Sequence, residues 1–426
     1  MIERRILPQA KAKKHLEKLF NSFDTTNKIS DEISCDILFK DKGSMFGILV
    51  CLDESDNEVI LKAFSASINS TYIIDGYVPP LFDIAEFNKI VEKYDSKIKE
   101  LTKKIKEGDN DLSLLKQRKE LSNKSLLEIQ DLYKFYNIDK KEINLSQIKK
   151  EKYVPTGTGD CCAPKLLNYA FRNNLHPISL IEGFYGKSTQ NKQHLKIYPP
   201  CEEKCSIILP YMLNLDILYA DDYICVVNKQ ANITTIPGKK IELKDCITSR
   251  VKSLFKNSID QSSTHRLDMD TSGLLVLAFD KASHRSLSIQ FQNREVEKQY
   301  IALLRGIVKQ EEGEINLPLR LDVDNRPYQI VDHLQGKNAK TFYKRLNIEK
   351  NKQTQEIVTR ILFIPKTGRT HQLRVHSKEM LFPIVGDRLY GKRLKDEKRM
   401  ALHASFIKFK HPFTDKIMEF NSSPDF

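Results

Sequence analysis

Apolar and polar residues change rhythm three times along this chain of 426 residues. In the first stretch, to about residue 150, apolar runs at 33–39, 45–52 and 59–64 are separated by Asp, Asn and Gly. That pattern predicts the strands of a small sheet. After Pro79-Pro80 the period lengthens: Ile90, Tyr94, Ile98, Leu101 and Ile105 recur at heptad-like spacing between Lys and Glu, predicting a helix. Gly108-Asp109-Asn110-Asp111 breaks it. A second helix follows with Leu112, Leu115, Leu126, Ile129, Tyr133 and Tyr136 on its apolar side. The pair reads as a helical hairpin over about 88–138, an antiparallel coiled coil projecting from the body as a spacer or strut; a basic arm touching RNA is the alternative, disfavoured because acidic residues interleave with the lysines.

The last stretch, about 213–426, carries apolar runs of strand length at 224–228, 274–279, 299–304 and 359–364, and a helical pattern over 281–293. Strands and helices mix without regular alternation. This predicts an α+β fold rather than a doubly wound parallel sheet. No glycine-rich nucleotide loop is present, so neither NAD nor ATP is indicated.

Between them, about 151–212, lie Gly157-Thr158-Gly159-Asp160-Cys161-Cys162 and Pro199-Pro200-Cys201-Glu202-Glu203-Lys204-Cys205. Four of the eight cysteines fall here. Cys161, Cys162, Cys201 and Cys205 are candidate zinc ligands, with His194 as a further one. Their spacing departs from the usual two intervening residues. Thiols without metal are the alternative.

Composition narrows the function. Apolar residues make up 40%, enough for packed cores. Lys and Arg number 69 against 56 for Asp and Glu, a formal charge of +13. Such a surface attracts polyanions, nucleic acid above all; a lysine-rich solvated surface is the plain alternative. The first ten residues have no apolar core of signal-peptide length, and no run of about eighteen apolar residues occurs. The expectation is a cytoplasmic protein without a membrane span, its cysteines mostly reduced.

Two motifs carry candidate chemistry. His265-Arg266-Leu267-Asp268-Met269-Asp270-Thr271-Ser272-Gly273 immediately precedes the run at 274–279. Polar residues at the rim of a buried strand are rigidly held yet exposed, although spacing alone favours a simple turn. Lys366-Thr367-Gly368-Arg369-Thr370-His371-Gln372-Leu373-Arg374-Val375-His376 follows the run at 359–364. Thr370 is the expected helix N-cap, which sets Arg374 about one turn beyond His371. Such a cluster can bind phosphate or pair with a carboxylate. His371 and His376 are five apart, poor geometry for one metal.

The first motif, running on through Leu274-Leu275-Val276-Leu277-Ala278, resembles the signature of the RluA-like RNA pseudouridine synthases. Lys298-Gln299-Tyr300 with Ala302 and Gly306, the second motif, Pro383-Ile384-Val385-Gly386-Asp387, Tyr390-Gly391, Leu402-His403-Ala404 and His411-Pro412 continue the resemblance in order. It covers about 213–426. The cysteine segment resembles an N-terminal extension of one bacterial subgroup. One departure stands out: the family often reads Asn-Lys-Pro-x-Gly where this chain has Asn228-Lys229-Gln230-Ala231-Asn232.

The resemblance implies a largely antiparallel mixed-sheet catalytic domain that isomerises uridine to pseudouridine without a cofactor. Asp268 matches the essential aspartate, acting by attack at C1′ or by proton abstraction toward a glycal. Arg374 matches its charge partner, and Tyr300 the tyrosine that packs on the base and assists at C5. Arg266 would fill the stack that a flipped uridine vacates. His265, Lys298 and Arg369 are expected to support the site and contact phosphate. Ribosomal RNA of the large subunit is the favoured partner and transfer RNA the second; the resemblance is silent on oligomeric state. Two rival readings are weaker. A non-catalytic RNA-binding protein would lack Asp268, Tyr300 or Arg374, and a metal hydrolase would show ligand spacing that 213–426 lacks.

Overall fold

The computed structural model describes residues 2–40, 42–107, 112–149, 154–238 and 245–426. They form two compact units, residues 4–216 and residues 217–426, the second also taking in residues 2 and 3.

In the first unit, α1 (Ala10–Thr26) and α2 (Asp36–Lys40) precede the hairpin β1 (Ser44–Leu52) and β2 (Glu58–Phe64). Then come α3 (Ile84–Lys106), α4 (Leu112–Leu132), β3 (Lys134–Tyr136), β4 (Glu142–Asn144), α5 (Leu145–Lys149), α6 (Cys162–Arg172), β5 (His176–Tyr185), β6 (Ile197–Tyr198) and α7 (Leu209–Leu213). A four-stranded sheet runs in the order β2-β1-β5-β6. α1 buries Ala12, Leu16, Leu19, Phe20 and Phe23, spaced on one face, against Phe46, Ile48 and Val50 of β1. Gly183 permits this close approach, since a Cβ there would come within 2.8 Å of Leu16. α6 covers the other face, where a Cβ on Gly47 would come within 2.5 Å of Cys162.

Two expectations change here. The run at 33–39 is not a strand: Asp36–Lys40 is helical, with Leu38 buried. A short apolar run fits either element, and tertiary burial decided for the helix. The segment 151–212 is not a body of its own, because its strand β5 pairs with β1 from Ser44↔Tyr185 to Leu52↔His176. β1 is buried on both faces and needs that partner. Its expected start near residue 150 lies outside the described residues.

The helical hairpin forms as α3 and α4, joined by the Lys93–Glu128 ion pair at 2.8 Å and the Tyr94–Glu128 hydrogen bond at 2.6 Å. The expected break at 108–111 lies outside the described residues. Tyr133 and Tyr136 do not belong to α4. Tyr133 is drawn inward to pack on Phe82 and donate to Asp160, and Tyr136 lies in β3.

The second unit contains β7 (Ile217–Ala220), β8 (Ile224–Lys229), α8 (Ile247–Leu254), β9 (Ser272–Ala278), α9 (Lys281–Gln292), β10 (Glu297–Arg305) and β11 (Glu312–Asn316). β12 (Leu319–Leu321), β13 (Gln329–Val331), β14 (Lys340–Lys350), β15 (Ile357–Pro365), α10 (Gln372–Glu379), β16 (Leu402–Lys410) and β17 (Ile417–Asn421) complete it. Among the described residues, nine strands form one sheet in the order β11-β14-β15-β10-β16-β9-β8-β7, with β17 beside β16. Its pairings are antiparallel except β16 with β9. The expected α+β, largely antiparallel architecture is therefore present.

The parallel seam is short, with pairs His403↔Ser272 and Ala404↔Gly273. Gly273 is required there: its φ is 112°, and a Cβ would come within 2.3 Å of the Ala404 carbonyl oxygen. Beyond the seam, loop residues take over the edge of β9. Ile259 N donates to Phe279 O, Ala278 N to Ser262 O, and Val276 N to His265 Nε2. The loop carrying Asp268 is thereby fastened to the most apolar strand of the sheet. No helix among the described residues is long and apolar enough to cross a membrane.

Candidate active site

Asp268 sits in the turn that enters β9, where its carbonyl accepts from Thr271 N at 3.1 Å. The backbone on either side of it is clamped. Thr235 Oγ1 donates to Leu267 O at 2.9 Å and accepts from Leu267 N at 3.1 Å. Lys229 Nζ donates to Met269 O at 3.0 Å, and to Gln230 O and Ile233 O. Lys229 is 1% exposed. Burial pulls its ammonium down to about 7, against the opposing pull of Asp268 and Asp270. The turn at Asn228–Asn232 departs from the family pattern in sequence, yet it closes, with Asn232 taking the left-handed conformation at φ 67°.

Arg374 projects from α10. The expected Thr370 cap is not used: His371 is the N-cap residue, left-handed at φ 55°, with no side-chain cap of its own. Gln372 Oε1 ties the preceding loop to the helix start, accepting from Thr367 Oγ1 at 2.7 Å and Arg369 N at 3.0 Å.

The guanidinium of Arg374 makes two hydrogen bonds of 2.8 Å to Asp387 and approaches Asp268 Oδ2 at 3.5 Å. Asp387 is thus its nearer partner, and the expected pairing with Asp268 is present at the longer distance. A bidentate pair is the more favourable geometry for a buried guanidinium. Burial opposes the charge on Asp387, but the Arg374 hydrogen bonds outweigh it and hold the carboxyl below its usual range. Asp387 Oδ1 also accepts from Leu389 N and Tyr390 N. The Tyr390 hydroxyl lies 2.7 Å from His371 Nδ1, and His371 Nε2 is 3.9 Å from Asp268 Oδ2.

A cavity of about 500 Å³ opens over Asp268, lined also by Thr235, Pro237, Arg266, His371 and Arg374. A second, of about 800 Å³, is lined by Arg266, Arg294, Lys298, Tyr300, Lys366 and Arg369, among others. Arg266 borders both. Tyr300 lines the second cavity from β10, where burial and then the charge of Asp268 push its hydroxyl above the usual phenol range. It is thus a neutral phenol at physiological pH.

His265 does not present a charge to this groove. It stacks on Phe291 at 4.4 Å and accepts from Val276 N, and burial lowers it to about 3. It also borders the larger cavity. Lys298 lies 5.5 Å from the Phe291 ring centroid, its ammonium pulled down by burial. Arg369 donates to Asn338 O and lines the groove.

Sequence reasoning missed Lys229, Thr235, Asp387 and Tyr390 as parts of this site. Asp387 and Tyr390 stood within quoted motifs, yet nothing in their spacing marked them as partners of Arg374 and His371.

In the first unit, the sulfurs of Cys161, Cys201 and Cys205 lie within 4.8 Å of one another. Two other expected ligands do not join them. Cys162 points into the sheet, its sulfur 3.4 Å from Met45 O. His194 Nδ1 accepts from Gly186 N, and its ring packs on Tyr185.

The family described as RNA pseudouridylate synthase matches residues 223–379, which contain Asp268, Tyr300 and Arg374. The chain is 40% identical over 214 residues to the dual-specificity RNA pseudouridine synthase RluA of Haemophilus influenzae, covering 50% of this chain and 94% of that one. The protein of that name from Escherichia coli K12 matches to the same extent, 40% over 214 residues, with 94% of its length covered. The solved structure of human RNA Pseudouridylate Synthase Domain Containing 1 is 30% identical, with a TM-score of 0.43, covering 50% of this chain and 84% of that one. The family match and the two RluA relatives define the class as the RNA pseudouridine synthases, isomerases that act on RNA. Within that class, this chain belongs to the RluA-like family.

Proposed function

We propose that this isomerase converts specific uridines of large-subunit ribosomal RNA to pseudouridine in the cytoplasm, with transfer RNA as its second substrate class and no cofactor. The dual-specificity name of its relatives supports keeping both RNA classes. The observation that carries the assignment of roles is the clamped Asp268, open to a nucleoside-sized cavity and faced by the buried Arg374.

In this reading a uridine leaves its helix and enters the Asp268 cavity. Asp268 acts at the ribose, the N1–C1′ bond breaks, and the uracil turns to present C5 to C1′. The C5 proton is lost as the new bond is completed, and N1, freed from the ribose, takes up a proton in its place. Arg374, fixed by Asp387, steadies the negative charge of Asp268 without being consumed by it. Tyr300 packs on the base; as a neutral phenol it is better suited to that than to removing the C5 proton. Arg266, standing between the two cavities, moves into the vacated stack. Arg294, Lys298, Lys366 and Arg369 give the flanking phosphates a cationic track.

Incubation of the full chain with unmodified large-subunit ribosomal RNA and, separately, unmodified transfer RNA tests the substrate. Mapping pseudouridine by chemical labelling and primer extension should show discrete sites in the ribosomal RNA. Modification confined to transfer RNA would reverse the order proposed.

A further inference from the structure

The three thiols of the first unit come from two places far apart in the chain. Cys161 is the residue that enters α6, while Cys201 and Cys205 flank a single turn after β6. All three are free cysteines, and Cys205 is buried while Cys161 and Cys201 are half-buried. A disulfide would satisfy two of them and leave the third stranded beside it. A tetrahedral metal takes all three.

Backbone donors face two of these sulfurs. The backbone N–H groups of Lys204 and Cys205 hydrogen-bond to Cys201, and that of Gly159 to Cys205. Amide donors aimed at the ligating atoms are the usual outer support of a metal centre. Gly159 can supply its N–H because it is a glycine: its φ is 100°, and a Cβ would come within 2.9 Å of Tyr133. Two lysines stand close by. Lys204 reaches the Gly157 turn, and the buried Lys165 donates to Phe64 O. Glu182, 3% exposed, accepts from Ala163 N at the start of α6 and so fixes the helix that carries Cys161.

We propose that Cys161, Cys201 and Cys205 bind one zinc ion. Soft thiolates within reach of one ion select zinc over the hard, oxygen-seeking cations. Binding forms three Zn–S bonds, and the three thiols release their protons to solvent. The fourth position is filled by water, since solvent reaches Cys161 and Cys201. The ion staples the loop before α6 to the turn after β6, two segments about forty residues apart in sequence. The proposal does not depend on the isomerase reaction.

The test uses the full chain, purified under reducing conditions with zinc in the growth medium, and elemental analysis. One equivalent of zinc per chain is expected, lost in Cys161→Ser, Cys201→Ser and Cys205→Ser and kept in Cys162→Ala. Replacement of zinc by cobalt(II) in the wild-type chain gives a second readout that needs no variant. Intense near-ultraviolet thiolate-to-cobalt bands are expected. Zinc below a tenth of an equivalent with no such bands would overturn the proposal. So would iron in place of zinc, or a thiol titration of the unfolded chain showing two of the three cysteines already joined as a disulfide.

Discussion

Arg374 is held by Asp387 through two hydrogen bonds of 2.8 Å, and the guanidinium of this pair, 3% and 1% exposed, faces Asp268 at 3.5 Å. A guanidinium paired only with Asp268 would be free to swing whenever the substrate arrived. With Asp387 holding its fork, only the NH1 nitrogen is offered to the cavity.

Asp387→Asn should therefore damage catalysis although Asp387 does not line the cavity over Asp268. Removing one charge of a buried pair costs about 3–5 kcal/mol. Thermal unfolding should register that loss, and the rate of pseudouridine formation should fall by about a hundredfold or more. A variant with wild-type rate and melting temperature would show that Arg374 needs no anchor.

Lys229 gives a pH signature. Its ammonium is pulled down to about 7 in the folded chain, whereas an unfolded lysine titrates near 10.4. Between these values the unfolded state binds more protons. The contribution of Lys229 is thus fully present above about pH 10.4 and is lost as pH falls toward 7. Denaturant titrations of wild type and Lys229→Met at pH 7, 8 and 9 should differ in slope by up to about 1.4 kcal/mol per pH unit. Parallel pH profiles for the two proteins would contradict this.

The histidines act in the acid range. Burial lowers His265 to about 3 and His376 and His403 to about 4. Each takes a proton near its ordinary 6.5 once the chain unfolds. Their contribution is present above that value and is lost as pH falls toward 4. The free energy of unfolding should fall steeply from pH 6.5 to 4.5, and less steeply in His376→Gln. Equal slopes in the two proteins would remove His376 from the explanation.

Arg266 separates the tasks of flipping and chemistry. Arg266→Ala should slow turnover of a uridine held in a folded stem-loop by about tenfold or more, because unstacking costs a few kcal/mol there. The same uridine in an unstructured strand should be affected less. Equal losses on both RNAs would place Arg266 in the chemical step instead.

Much of the second unit was legible because its motifs are local. The run at 274–279 announces β9, and the polar residues before it announce the turn that holds Asp268. What remained hidden depends on contacts between distant segments. Lys229 meets Met269 forty residues away, and Thr235 meets Leu267 thirty-two away. The resemblance carried Arg374 to Asp268, and only the fold revealed the nearer claim of Asp387. The run at 33–39 misled because seven apolar-rich residues suit a helix as well as a strand. Adjacent Cys161 and Cys162 look alike in sequence, yet the start of α6 sends one toward Cys201 and Cys205 and the other beneath β1.

The central claim is that Asp268 performs the isomerisation. Tritium release from RNA carrying 5-tritiated uridine, measured for wild type and Asp268→Asn side by side, tests it most directly. The expected result is release by wild type and none above background by the variant, with RNA binding and melting temperature retained. Release by Asp268→Asn near the wild-type rate would contradict the assignment and move the chemistry to another group.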